Sequence, residues 1–175
     1  MKDKNNKISS ILKKYKSSFS KQDLLNLETL LSNNLEPNET YFLYTDGACE
    51  FDENYKPFNA GIGGLLKLDG KVIFSFSENI GKKTNNEAEY LALLKGIEIC
   101  IQNNILDLII YSDSELVVKQ INGVYKVKNE RMLILYKKTL DLLSNLKSWK
   151  VIHVLRDKNI EAVSYTHLTL PTSSW

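Results

Sequence analysis

The rhythm of apolar and polar positions changes at residue 40. Before it the chain is rich in Lys, Asn and Ser with scattered Leu. Ser20, followed by Lys21, Gln22 and Asp23, reads as a helix start, and Leu24, Leu25, Leu27, Leu30 and Leu31 form a helical apolar stripe that ends near Asn33-Asn34. One or two short helices over 1–36 and a linker over 37–39 are expected. From Thr40 the pattern turns aromatic and β-branched: Thr40–Thr45 reads as a strand. Ala60–Leu68 and Lys71–Ile80 are two further strands, joined by Asp69-Gly70, a strong hairpin signal. Thr84–Gln102 is helical, Leu108–Ser112 a strand, Ser114–Ile121 a short helix, Asn129–Leu146 a longer helix and Trp149–Leu155 a last strand. Three strands with a hairpin, then helix, strand, two helices and strand, describe an α/β fold with a mixed sheet.

Projected at 100° per residue, the helix after Thr84 sorts into two sides. Glu87, Lys95, Glu98 and Gln102 share a polar arc, and Leu93, Gly96, Ile97 and Cys100 lie opposite. Glu87 is explained by the capping box Thr84-x-x-Glu87. Glu89 is not, because it falls within the apolar side, where a carboxylate is costly unless a cation meets it. A buried salt bridge would serve, but no Lys or Arg of this helix shares its face. Asp46, in Tyr44-Thr45-Asp46-Gly47, and Asp113, in Tyr111-Ser112-Asp113-Ser114, each end a strand. Taken singly they read equally as a turn former and a helix cap. Strand ends of an α/β sheet are also where sites are built. Three carboxylates converging there would need a metal, and oxygen-only donors suit Mg²⁺ or Mn²⁺.

Composition narrows the picture. The 175 residues, 43% hydrophobic and 25% charged, are long enough for a single core without disulfides or structural metal. No apolar run approaches the roughly 18 residues of a membrane span, and the basic N-terminus lacks the apolar core and cleavage site of a signal peptide. Cys49 and Cys100 form neither a CxxC nor a disulfide framework, which favours a reducing, cytoplasmic setting. The net charge of +2 argues against a strongly basic coat and leaves room for a local patch. Lys119, Lys126, Lys128 and Arg131 form the most basic stretch; it reads either as a phosphate track or as a solvated face.

Several ordered motifs resemble type 1 ribonuclease H, in its compact prokaryotic and archaeal-type branch. They are Tyr44-Thr45-Asp46-Gly47-Ala48, Gly61-Ile62-Gly63-Gly64, Thr84-Asn85-Asn86-Glu87-Ala88-Glu89, Ser112-Asp113-Ser114, the stretch Gln120–Asn129, and His153–Asn159. The resemblance covers roughly Thr40 to Ala162. It implies the ribonuclease H fold, a five-stranded mixed sheet flanked by helices, with the short helical N-terminal extension added. It implies an endonuclease that hydrolyses the RNA strand of RNA–DNA hybrids with two Mg²⁺ or Mn²⁺ ions, Asp46 bridging both and Glu89 and Asp113 completing the cluster. Asn85, Asn86 and Cys49 match positions that contact the hybrid in its minor groove, although Cys49 reads equally as a small packing residue. Lys126 and Lys128 would follow the DNA strand. The partner is the hybrid and the expected state a monomer. A non-catalytic hybrid-binding module of the same fold is the alternative.

Two departures stand out. A longer Glu50–Asn59 segment replaces the family's short turn after the first strand. At the other end, Arg156-Asp157-Lys158-Asn159-Ile160-Glu161-Ala162 leads into Val163, where the family places its fourth metal-binding Asp. Glu161 is a conceivable substitute ligand. Residues 163–175 show no helical period, carry Pro171, and resemble in VSYTHLTLPT a translated sequencing adapter. They read as a non-native tail, which leaves an impaired domain over 40–162 and gives His167 no catalytic meaning.

Overall fold

The computed structural model describes Ser20 and residues 40–167. The chain divides into two compact units, Met1–Glu39 and Thr40–Trp175. The helices expected over 1–36 and the linker after them lie outside the described residues, Ser20 apart. In the second unit five strands form one sheet, β1 (Tyr41–Phe51), β2 (Pro57–Leu68), β3 (Lys71–Gly81), β4 (Asp107–Ser112) and β5 (Ser148–His153), in the order β3-β2-β1-β4-β5. The pairs β1/β2 and β2/β3 are antiparallel, whereas β1/β4 and β4/β5 are parallel, so the sheet is mixed as expected. Leu68 pairs with Lys71 across a two-residue turn in which Asp69 and Gly70 both take positive φ, the geometry that matches strand twist.

The helices are α1 (Asn85–Gln102), α2 (Glu115–Ile121), α3 (Glu130–Ser144) and α4 (Ile160–His167). The capping box at Thr84 forms: the Thr84 hydroxyl accepts from Glu87 N–H, and Glu87 Oε2 accepts from Thr84 N–H at 2.9 Å. Asn129 caps α3 by accepting from Met132 N–H. Leu43, Tyr90, Leu93, Ile97, Leu108, Ile110, Val117, Leu143 and Val151 make the main core between the sheet and the first three helices. Helix α4 lies on the other face. Gly47 and its partner Ile62 look toward α1, while the pair Asp46 and Gly63 alternates to the α4 side, where Gly63 lies against Thr166.

The structure differs from the sequence reading in two places. First, β1 does not end at Asp46. Its pairing with β4 stops at Thr45–Ser112, but its pairing with β2 continues to Phe51, so Asp46 sits inside a strand at the point where one neighbour is lost. The Glu50–Asn59 segment is the far end of this hairpin, and its turn is organised by Asp52 Oδ1, which accepts from Asn54 N–H at 2.9 Å and Lys56 N–H at 2.8 Å. Second, residues 163–167 are helical. Asn159 carbonyl accepts the first bond of α4 from Val163 N–H, Ala162 and Thr166 bury one side of the helix, and Ser77 Oγ donates to the Tyr165 carbonyl. A helix already nucleated and packed propagates over a few residues with no intrinsic period of its own. The side chain of His167 and all of Pro171 lie outside the described residues. Among the described residues no helix is long and apolar enough to cross a membrane.

Candidate active site

Asp46, Glu89 and Asp113 come from β1, α1 and the residue after β4, and their ligand oxygens lie within 4.8 Å of one another. Each arrives by a local cause. Asp46 is carried inward by the strand alternation of β1 and is fully buried, with both carboxylate oxygens shut off from solvent. Glu89 projects from the second turn of α1 toward the sheet and is 6% exposed. It accepts a hydrogen bond from Gly47 N–H at 3.2 Å. Asp113 follows the last residue of β4, and Ser114 rather than Asp113 occupies the cap position of α2. The turn and cap alternatives for these residues therefore do not explain where they sit.

Gly47 is what allows helix and strand to meet. A Cβ there would lie 2.3 Å from both Ala88 C and Glu89 N, backbone atoms that cannot swing aside. Gly47→Ala is expected to force α1 off the sheet and to cost about 3 kcal/mol, the upper end of ordinary overpacking. A fall of roughly 10 °C in melting temperature should follow; an unchanged melt would show that the helix can shift without loss.

The cluster is electrostatically unfavourable as it stands. Burial first, and then the neighbouring charges of Asp46 and Asp113, push the Glu89 carboxyl up to about 9, against opposing pulls from Gly47 N–H and Arg156. Neither Glu89 nor Asp113 forms an ion pair among the described residues. The donor set is oxygen only, with no His or Cys in the group. Three close carboxylates suit hard divalent cations such as Mg²⁺ or Mn²⁺, whose charge reverses the repulsion.

The other sequence candidates lie on the rim. Asn85 and Asn86 open α1 and are exposed; Asn85 Oδ1 accepts from Cys49 N–H at 3.3 Å, which joins two of the three expected groove residues. Lys126, Lys128 and Arg131 share with Thr84, Asn86 and Gln120 a cleft of about 370 Å³. Lys119 does not join them: it pairs with Glu115 at 2.6 Å and packs its ammonium over the Tyr125 ring. Glu161 is also elsewhere, exposed and paired to Lys67 at 2.8 Å, which removes it as a substitute ligand. Buried Asn159 was quoted in a motif but given no role by sequence reasoning; its amide touches Asp113.

A family model described as "Reverse transcriptase-like" matches residues 45–167, more than half of the chain and all three carboxylates. Ribonuclease HI of Halobacterium salinarum is 31% identical over 120 residues, which is 68% of this chain and 58% of that protein. The crystal structure of RNase H1 from the same archaeon superimposes with a TM-score of 0.69 at 29% identity, covering 73% of this chain and 95% of that one. The chain belongs to the ribonuclease H family. LC11-RNase H1, solved in complex with an RNA/DNA hybrid, is a further structural relative, with a TM-score of 0.67 at 30% identity over 74% of this chain and 95% of that one. The ribonuclease H fold expected from the motifs is thus the observed one. The chain spans little more than half the length of this curated halobacterial relative.

Proposed function

We propose that this ribonuclease H family member is a metal-dependent endonuclease that hydrolyses the RNA strand of RNA–DNA hybrids. The observation that carries the reading is the convergence of Asp46, Glu89 and Asp113 within 4.8 Å at a half-closed end of the sheet. These residues would hold two Mg²⁺ or Mn²⁺ ions, which when bound supply an activated water and stabilise the leaving 3′-oxygen. Cys49, Asn85 and Asn86 form a connected edge beside the cluster, with amide groups suited to RNA 2′-hydroxyls across a wide minor groove. Lys126, Lys128 and Arg131, gathered in one cleft next to Asn86, suit the phosphates of the DNA strand. The hybrid seen on LC11-RNase H1 supports the same substrate here. With Cys100 buried and Cys49 apart from it, a monomer in the reducing cytoplasm fits the chemistry.

Val163 stands where the family resemblance places a fourth ligand, so the site is one carboxylate short and its cleavage impaired. That observation favours a second reading, a module that binds the hybrid without cutting it. We take residues 163–175 as read-through rather than as a native adaptation, and the helical conformation of 163–167 is compatible with either origin. The two functions separate in one experiment. An end-labelled hybrid, duplex RNA and duplex DNA are incubated with the protein over a range of Mg²⁺ and Mn²⁺. Cleavage confined to the RNA of the hybrid is expected, stronger with Mn²⁺, which binds such sites more tightly. Binding of the hybrid with no cleavage at any metal concentration would establish the second reading instead.

A further inference from the structure

Asn159 occupies the turn between β5 and α4 and is 1% exposed. Its Nδ2 donates to the Thr45 carbonyl oxygen at 2.9 Å and to Asp113 Oδ1 at 3.1 Å. Both partners only accept, so rotating the amide by half a turn would set oxygen against oxygen at both contacts. The orientation is therefore fixed. It leaves Asn159 Oδ1 buried without a hydrogen-bond partner, an unfavourable state for an acceptor. A residue retained only to fill this space would do better as an apolar side chain of similar size, with no orphaned oxygen.

We propose that Asn159 is a positioning residue for the acidic cluster, pinning the Asp113 carboxylate to the Thr45 end of β1 beside Asp46. Asp113 lies beyond β4, on the loop that leads into α2, and has no strand partner of its own. The Asn159 amide supplies the missing reference, because one group grips both the backbone next to Asp46 and an oxygen of Asp113. The remaining Asp113 oxygen is left for the shared space. The same residue also sets where α4 begins, since its carbonyl accepts from Val163 N–H at 3.1 Å. Its role rests on the reading of the cluster as a cation site, and it operates through Asp113 rather than on substrate.

The test is direct Mn²⁺ binding to the full chain, read by electron paramagnetic resonance without any substrate. Three proteins are compared: the parent, Asn159→Ala, and Leu143→Ala, a core truncation in α3 that loses stability without altering the cluster's hydrogen bonds. Asn159→Ala should weaken Mn²⁺ binding about 10- to 100-fold, as expected when a group that orients a metal ligand is removed. Leu143→Ala, measured well below its melting temperature, should bind as the parent does. Binding by Asn159→Ala within about twofold of the parent, or equal weakening by Leu143→Ala, would overturn the assignment. If Asn159→Ala does not fold, Asn159→Ser retains one donor and must show the same direction of change. No Mn²⁺ binding by the parent would instead remove the cation reading of the cluster, an outcome distinct from failure of Asn159 alone.

Discussion

Asp46→Asn is expected to reduce hybrid cleavage by about 10³-fold or more, because charge stabilisation of several kcal/mol is lost from the reaction. The side chain keeps its volume, so the β1 packing and the antiparallel register with β2 should survive. The stability of the metal-free protein should move the opposite way. Two unit charges 4.8 Å apart repel by roughly 3 kcal/mol at an effective dielectric constant of 20, and Asp46 faces two such neighbours. The protein already relieves part of this by holding Glu89 protonated over a wide pH range. What remains should raise the melting temperature of Asp46→Asn by a few degrees in the absence of metal. Adding Mg²⁺ should then stabilise the parent and leave the variant unchanged. Cleavage within tenfold of the parent rate would contradict the role given to Asp46.

Val163→Asp is expected to raise activity. Val163 lies one helical turn after Asn159 and is tied to it by the first hydrogen bond of α4, so the two side chains project on the same side of the helix. Since Asn159 touches Asp113, a carboxylate one turn further on enters the neighbourhood of the cluster. A fourth negative charge should lower the Mg²⁺ concentration for half-maximal cleavage on the order of tenfold, because affinity for hard cations rises with the charge count of the site. Without metal the same substitution should destabilise the protein, through added repulsion and the loss of a half-buried apolar side chain. Opposite shifts in the presence and absence of metal identify a ligand. A variant that is merely less stable under both conditions would show that residue 163 does not reach the cations.

Much of this arrangement was legible in the sequence because the signals were local. The Asp69-Gly70 hairpin and the Thr84 capping box rest on residues within one turn of each other, and the misplaced carboxylate of Glu89 on the period of a single helix. The candidate site residues Asp46, Glu89 and Asp113 were singled out by position and chemistry, and the structure brings their oxygens together. Asp46-Gly47 misled as a strand end because Asp-Gly usually marks a turn. Here Gly47 serves a close approach to Ala88 and Glu89, a requirement set by a helix some forty residues away. Helix α4 past Ala162 was missed for a related reason: its stability comes from Gly63, Ser77 and the Asp46 carbonyl, not from its own periodicity. Lys119 looked equivalent to Lys126 until its pairing with Glu115 took it out of the cleft.

The parting of β1 from β4 at Thr45 has a consequence for how the molecule folds. β1, β2 and β3 form a meander of neighbours in sequence, which can close with small loops. The contacts that build the acidic end do not: Gly47 meets Glu89 across 42 residues, and Thr45 meets Asn159 across 114. Closing such loops costs entropy that no local contact repays in advance, so long-range pairings of this kind form late and slowly. Asp46 therefore waits on a finished sheet edge for partners from three later elements. A chain that has folded its hairpins but not yet docked α1 and β4 carries Asp46 with neither Glu89 nor Asp113 beside it. Assembly of the acidic cluster then belongs to a late stage of folding.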